Sequence, residues 1–191
     1  MIDKTFRIGA VGHRDLDNIE KQLYAYFCCH RLLAGLLEKY ATVMGISAMS
    51  EGADSIFAQS AVSLGVPLES IIPSRRFDSE FHEDFVKERY QSLLSQAKYI
   101  TRANFPERSH SAYRKSMEWV VFKSNAVVAI WDGRKKGTIG GTWEAVSLSF
   151  RIRKPVVHID YDNKALNLYF NNGDNYRLHQ DLSVEQIIRR L

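Results

Sequence analysis

The sequence predicts an α/β fold: a doubly wound, mainly parallel sheet with helices on both faces. Three observations carry that expectation. Short apolar runs alternate with segments of helical periodicity along most of the chain, which is the order of successive βαβ units. The runs Phe6 to Val11 and Ala126 to Trp131 are almost wholly apolar, as strands buried on both faces must be. The 191 residues contain no internal repeat, linker or low-complexity tract, so one domain, residues 1–191, is expected, with a core over about 6–160 and a C-terminal extension over 161–191.

In chain order, Phe6 to Val11 reads as a strand closed by Gly12. Asp17 and Glu20, three apart, resemble a capping pair, and the helix after them carries Leu23, Tyr26, Phe27, His30, Leu33, Leu37 and Tyr40 at helical spacing. Val43 to Met49 is a second strand. Ser50-Glu51-Gly52-Ala53-Asp54 turns into a helix that Gly65 and Pro67 stop. Leu68 to Ile72 is a third strand, and Asp78 to Gln96 reads as one helix with Phe81, Phe85 and Leu93 on a face. A short strand near Tyr99 to Thr101 precedes a helix over Ser111 to Lys123. After Ala126 to Trp131, a Gly-rich loop (Gly137-Thr138-Ile139-Gly140-Gly141-Thr142) opens a helix to about Arg153, and Pro155 to Ile159 is another buried strand. The tail differs. Leu166, Leu168 and Phe170 alternate, Asn171-Asn172-Gly173-Asp174 offers a turn, and Tyr176 to Leu178 returns as a hairpin. Ser183 with Gln186 forms a capping box for a short last helix.

Composition narrows the function. Apolar residues make up 45% and charged residues 25%, ordinary for a globular chain. There is no signal-peptide pattern and no apolar run of membrane-spanning length, and the two cysteines, Cys28 and Cys29, are neighbours in a helical pattern. These features exclude a disulfide framework and a Cys-based zinc site, and a cytoplasmic protein is expected. A formal charge of +4 favours an anionic ligand without the long basic stripe of a nucleic-acid binder. The clusters Arg75-Arg76, Arg134-Lys135-Lys136 and Arg151-Ile152-Arg153-Lys154 read as solvated loop and helix-end residues.

In an open α/β sheet, ligands bind beyond the carboxyl ends of the strands. Three loops there hold the unusual residues: Gly12-His13-Arg14-Asp15, Ser50-Glu51-Gly52-Ala53-Asp54, and the stretch from Asp132 to Glu144. Gly140 and Gly141 let the backbone approach a ligand, and the N–H groups that start the next helix can cradle a phosphate. Thr142 can cap that helix or donate to a phosphate oxygen, and Glu144 projects from its first turn; a plain turn with a charge favourable to the helix dipole is the alternative. His13 offers a titratable imidazole and Arg14 a guanidinium fork suited to phosphate. Glu51 or Asp54 can take a ribose hydroxyl, or Asp54 can cap its helix. The string His13-Arg14-Asp15-Leu16 is not a kinase catalytic loop, since no ATP-binding lobe precedes it and Glu20 stands where the metal-binding Asn belongs. No Walker P-loop, no Gly-x-Gly-x-x-Gly after the first strand and no Gly-x-Ser-x-Gly elbow is present. The six histidines show no metal-ligand spacing, so no metal and no cofactor are expected.

The set Gly9-Ala10-Val11-Gly12-His13-Arg14-Asp15-Leu16, Ser50-Glu51-Gly52-Ala53-Asp54, Ala129-Ile130-Trp131-Asp132-Gly133 and Gly140-Gly141-Thr142-x-Glu144 resembles the SLOG superfamily. This group of Rossmann-like domains unites the DNA-processing proteins and the Lonely Guy phosphoribohydrolases. The resemblance covers roughly residues 6 to 160. It implies a pocket for a nucleotide or nucleotide-derived signal, held by Gly12, His13, Arg14, Glu51, Gly52, Asp54, Asp132, Gly140, Gly141 and Thr142. It implies a sensor in bacterial defence with a separate effector protein, and a homo-oligomer formed through surface helices. The alternative it implies is an N-glycosidase or deoxyribosyl-transfer enzyme acting on nucleotides, with Glu144 and Arg114 as catalytic residues. Against the hydrolase pattern, Glu144 comes two residues after Thr142 rather than three, and Arg114-Lys115 lies further from the strand. DNA binding, as in the DNA-processing relatives, is disfavoured by the modest charge.

Overall fold

A computed structural model describes residues 5–16, 18–81, 83–135, 139–171 and 176–191. The strands are β1 (Thr5–Gly12), β2 (Thr42–Ser47), β3 (Leu68–Ile72), β4 (Tyr99–Arg102), β5 (Ala126–Ile130), β6 (Val156–Asp160), β7 (Ala165–Asn171) and β8 (Tyr176–His179). The α-helices are α1 (Ile19–Lys39), α2 (Ala53–Ser63), α3 (Asp84–Ser95), α4 (His110–Lys123), α5 (Thr142–Arg151) and α6 (Val184–Arg190).

All eight strands form one sheet in the order β4-β3-β2-β1-β5-β6-β7-β8. β4 through β6 are parallel, and β7 and β8 add an antiparallel edge. The chain winds outward from β1 to β4, then returns to place β5 on the other side of β1. The strand order therefore reverses between β1 and β5, where Gly12 pairs in register with Ile130. Helices leaving these two strands diverge to opposite faces, and the split opens a crevice at their carboxyl ends.

Each face has its own core. Ile8, Ala10, Val128 and Ile130 point to the layer with Leu32, Leu33, Phe57 and Ile187, from α1, α2 and α6. Val11, Val127, Ala129 and Trp131 point to the layer with Met117, Val120, Ala145 and Val146, from α4 and α5. This is the two-residue alternation of a sheet covered on both sides. The C-terminal extension continues the same sheet: β7 pairs with β6, and α6 packs on α1. The Ser183–Gln186 capping box forms as expected. In the hairpin, Asn171 pairs with Tyr176, while Asn172, Gly173 and Asp174 lie outside the described residues.

Several local expectations need correction. Asp17 lies outside the described residues, and the N-cap of α1 is Asn18, whose side chain accepts from Glu20 N at 2.7 Å. On α1 the buried residues are Ala25, Cys28, Cys29, Leu32, Leu33 and Leu36, while Leu23, Phe27 and Leu37 are exposed. That helix is apolar around much of its circumference, so packing against α2 and α6 sets its phase. The single helix expected over 78–96 is a 3-10 turn at Phe77–Glu80 followed by α3, and His82 lies outside the described residues. Arg108 donates from Nε and Nη2 to Phe77 O at 3.0 and 2.6 Å, occupying a carbonyl that a continuous helix would use. The buried residues of α3 are Val86, Tyr90 and Leu93; Phe85 is exposed.

Candidate functional site

The loops after β1, β2, β5 and β6 and the start of α4 surround a cavity of about 1160 Å³ at the strand-order reversal. From the first loop, Gly12, His13 and Arg14 line it; from the second, Asp54; from the third, Asp132, Gly140, Gly141 and Thr142. Glu51, Gly52, Arg114 and Glu144 are not on its wall.

Backbone packing explains the first two loops. His13 N donates to Ile130 O at 3.1 Å, and Ala53 N donates to His13 O at 3.0 Å, so the β1 loop is pinned between β5 and the start of α2. A Cβ on Gly12 would lie 2.3 Å from Ala53 Cβ and 2.4 Å from Ile130 O. Gly52 has φ +70°, and a Cβ there would lie 2.1 Å from Arg14 O. Both glycines serve close approach of backbone to backbone. Gly52 also takes the N-cap position of α2, so Asp54 is not the cap. Instead Asp54 reaches back from the first turn and accepts from Ser50 N at 3.3 Å.

The side chains on the wall are braced by one another. The His13 ring lies with Nδ1 2.7 Å from the Tyr161 hydroxyl and Nε2 3.8 Å from Asp132 Oδ1. Asp132 Oδ1 also accepts from Arg134 N at 2.9 Å, which fixes the carboxylate at the end of β5. Arg14 lays its guanidinium over the Tyr113 ring, 4.0 Å from the centroid, joining the β1 loop to α4. Burial raises the Asp54 carboxyl to about 7, against the smaller opposing effects of the Ser50 N–H and the Arg14 charge. A carboxyl poised near neutrality in a cleft is a feature of functional sites.

The third loop is built differently from what its residues suggest. Gly137 and Thr138 lie outside the described residues. Gly140 is left-handed, at φ +73°, and a Cβ there would come within 2.8 Å of Arg114 N. Gly141 has φ −86° and is the N-cap of α5, so Thr142 opens the helix and does not cap it. Glu144 accepts from Gly140 N through Oε2 at 2.6 Å and pairs with Arg114 Nε through Oε1 at 2.9 Å. The two residues that resemble a catalytic pair are thus brought together, engaged with each other and with the loop backbone, off the cavity wall.

Sequence reasoning missed Lys21, Arg108, Tyr113 and Tyr161, which also line the cavity. Tyr161 had a usable signal: it directly follows β6 at the same edge of the sheet. Tyr113 and Arg108 had none, since α4 reaches the site only through the tertiary arrangement. Cations (Arg14, Lys21, Arg108, Arg134) and carboxyls (Asp15, Asp54, Asp132, Asp162) are interspersed on the wall. Such a lining can hold a ligand carrying both anionic groups and hydroxyl or amino donors. Among the described residues no group of three or more His, Cys, Asp or Glu is placed to hold a metal ion. No helix among them is long and apolar enough to cross a membrane.

No family model and no curated protein matches the chain. Solved structures do. DNA processing protein A from Streptococcus pneumoniae superposes with a TM-score of 0.58 at 12% identity, over 81% of this chain and 50% of that one. The Helicobacter pylori DNA processing protein A, described for its single-stranded DNA binding mode, gives 0.54 at 15% identity, over 80% and 64%. The molybdenum cofactor binding protein of Rippkaea orientalis gives 0.50 at 17% identity, over 81% and 76%. The chain spans half the length of the first of these and 64% of the second. At such identities the likeness establishes the fold.

Proposed function

The chain has the SLOG-type Rossmann-like fold, and from it we propose that the cavity binds a nucleotide or nucleotide-derived signalling ligand and acts as a sensor. The observation that carries the reading is the convergence of the β1, β2 and β5 loops on one cavity at the strand-order reversal, with the start of α5 on its wall. The helix start offers N–H donors and the positive end of the dipole to a phosphate. Arg14 supplies a guanidinium for the same anion or a stacking face for a base. The interspersed carboxyls suit ribose hydroxyls and base amino groups, and they count against a long polyanion. Two neighbours are named for binding single-stranded DNA and the molybdenum cofactor, so sizeable ligands are carried by proteins of this fold.

Binding without turnover is favoured over N-glycosidic hydrolysis because both oxygens of Glu144 are already engaged, and neither Glu144 nor Arg114 lines the cavity. A sensor of this kind acts through a separate effector protein. Homo-oligomerisation is supported by Ile19, Leu23 and Phe27, which stand exposed four residues apart on α1. The direct test is a thermal-shift screen with adenine and guanine nucleotides and their ribosylated derivatives. A ligand at a hundred times its Kd adds about 2.7 kcal/mol. A screen in which no nucleotide raises Tm overturns the reading.

A further inference from the structure

We propose that two copies of the chain dock through α1 in antiparallel fashion, with Leu23 of each copy seated in a hole beside Phe27 of the other. The inference rests on the homo-oligomer reading and deepens it; it is independent of what the cavity at the strand-order reversal binds.

A helix offers a facing helix two things: apolar knobs in a line, and holes bounded by side chains at i, i+3, i+4 and i+7. α1 has both. The knobs are Ile19, Leu23 and Phe27, which are 65%, 48% and 59% exposed and stand about one turn apart. A single exposed Leu needs no explanation, whereas three apolar residues on one line form a patch. The hole is a second cavity, of about 370 Å³, whose α1 wall is Tyr24, Phe27, Cys28 and Arg31. Those four positions make a complete i, i+3, i+4 and i+7 set. The opposite wall comes from the C-terminal extension and includes Leu166 and Leu182. Within the chain α1 packs on α2 and α6 through its buried residues, and among the described residues no helix covers the stripe.

Charge selects a second copy as the occupant and sets its direction. Glu20 lies at the N-terminal end of the stripe and Arg31 at its C-terminal end, both exposed. A two-fold axis midway between Leu23 and Phe27 sets Leu23 of each copy against Phe27 of the other. It also brings each Glu20 beside the other copy's Arg31. A parallel pair opposes Glu20 to Glu20 and Arg31 to Arg31. One surface thus carries the knob, the hole and both charges, which is what an isologous contact requires. Within one chain Glu20 pairs with Lys164 at 3.6 Å and Arg31 with Glu185 at 2.8 Å. Lys164 and Arg31 also line the hole, so an apolar centre is bounded by a charged rim, the usual anatomy of an interface.

The experiment is sedimentation velocity of the full chain over a concentration series up to about 1 mM, the weak end of the affinity scale. Wild type is expected to pass from monomer to dimer. Leu23→Ala and Phe27→Ala should each raise the dimer Kd by about thirtyfold or more, as loss of an interface anchor does, because each change enters a two-fold contact twice. Arg31→Glu should weaken the dimer by up to about fivefold for each pair, the scale of an exposed ion pair. Adding Glu20→Arg to Arg31→Glu should restore it. Circular dichroism melts verify that the variants fold. A dimer whose Kd is unmoved by Leu23→Ala and Phe27→Ala overturns the inference and leaves homo-oligomerisation standing on another face. A charge exchange that fails to restore affinity overturns the antiparallel docking. A wild type that stays monomeric overturns the inference and the oligomer reading together, and leaves the groove to a different protein.

Discussion

Replacing Asp54 by Asn should stabilise the protein at alkaline pH and leave it unchanged in acid. Asp54 is 8% exposed, and burial raises its carboxyl from the ordinary 3.8 to about 7. The folded state thus holds a proton that the unfolded chain has lost between about pH 4 and pH 7. Stability attributable to this group is complete below the unfolded value, declines as pH rises through that window, and stays at its minimum above it. The window is about three pH units wide, and at about 1.4 kcal/mol for each it sets a ceiling of about 4 kcal/mol for the burden of the ionised carboxylate. Asn keeps an oxygen to accept from Ser50 N, so that hydrogen bond survives the change. The expected gain is on the order of 2–4 kcal/mol at about pH 8, shrinking to near zero at about pH 4. Guanidinium unfolding of both proteins at the two pH values measures it, and a chain of this length gains about 2–4 °C in Tm per kcal/mol. An identical stability difference at both pH values would refute the argument, because it would mean that Asp54 titrates as an exposed carboxyl does.

Gly140→Val should cost about 1–3 kcal/mol and weaken nucleotide binding, because φ is +73° there and the new Cβ would press on Arg114 N and Tyr113 Cβ. Gly141→Ala, at an ordinary φ of −86°, should destabilise less; circular dichroism melts of the two variants check the order. Glu144→Gln should alter stability by less than about 1 kcal/mol, as its ion pair with Arg114 is partly solvated. Chromatography after long incubation with nucleoside monophosphates should find no free base from wild type, Glu144→Gln or Arg114→Ala. Base released by wild type and lost in both variants would replace the sensor with a hydrolase.

The fold was legible because apolar runs separated by helical segments admit few arrangements. The strand at Leu68–Ile72 was placed to the residue, and the edge of the sheet where ligands collect followed from topology alone. The phases of α1 and α3 were not legible. Leu23 and Phe27 satisfy helical spacing as well as Cys28 and Leu32 do, and only the neighbouring helices choose between the two stripes. Nor could the sequence show that Arg108 would occupy Phe77 O and break the segment before α3.

At the site the division is sharper. The order of strands and helices along the chain was enough to say which loops meet, since βα loops at a strand-order reversal must lie at one edge. Their unusual residues Gly12, His13, Arg14, Asp54 and Asp132 all reach the cavity. What each residue does there came from the folded arrangement. Gly12 and Gly52 answer to neighbouring backbone, and Glu144 and Arg114 are spent on each other and on Gly140. Tyr161, from outside the motif-bearing segment, completes a chain through His13 to Asp132. The physical reason is range: spacing along the chain encodes periodicity and turn chemistry over a few residues. Hydrogen-bond partners and desolvation depend on residues 148 positions apart, as between His13 and Tyr161, which only the closed sheet brings within 2.7 Å.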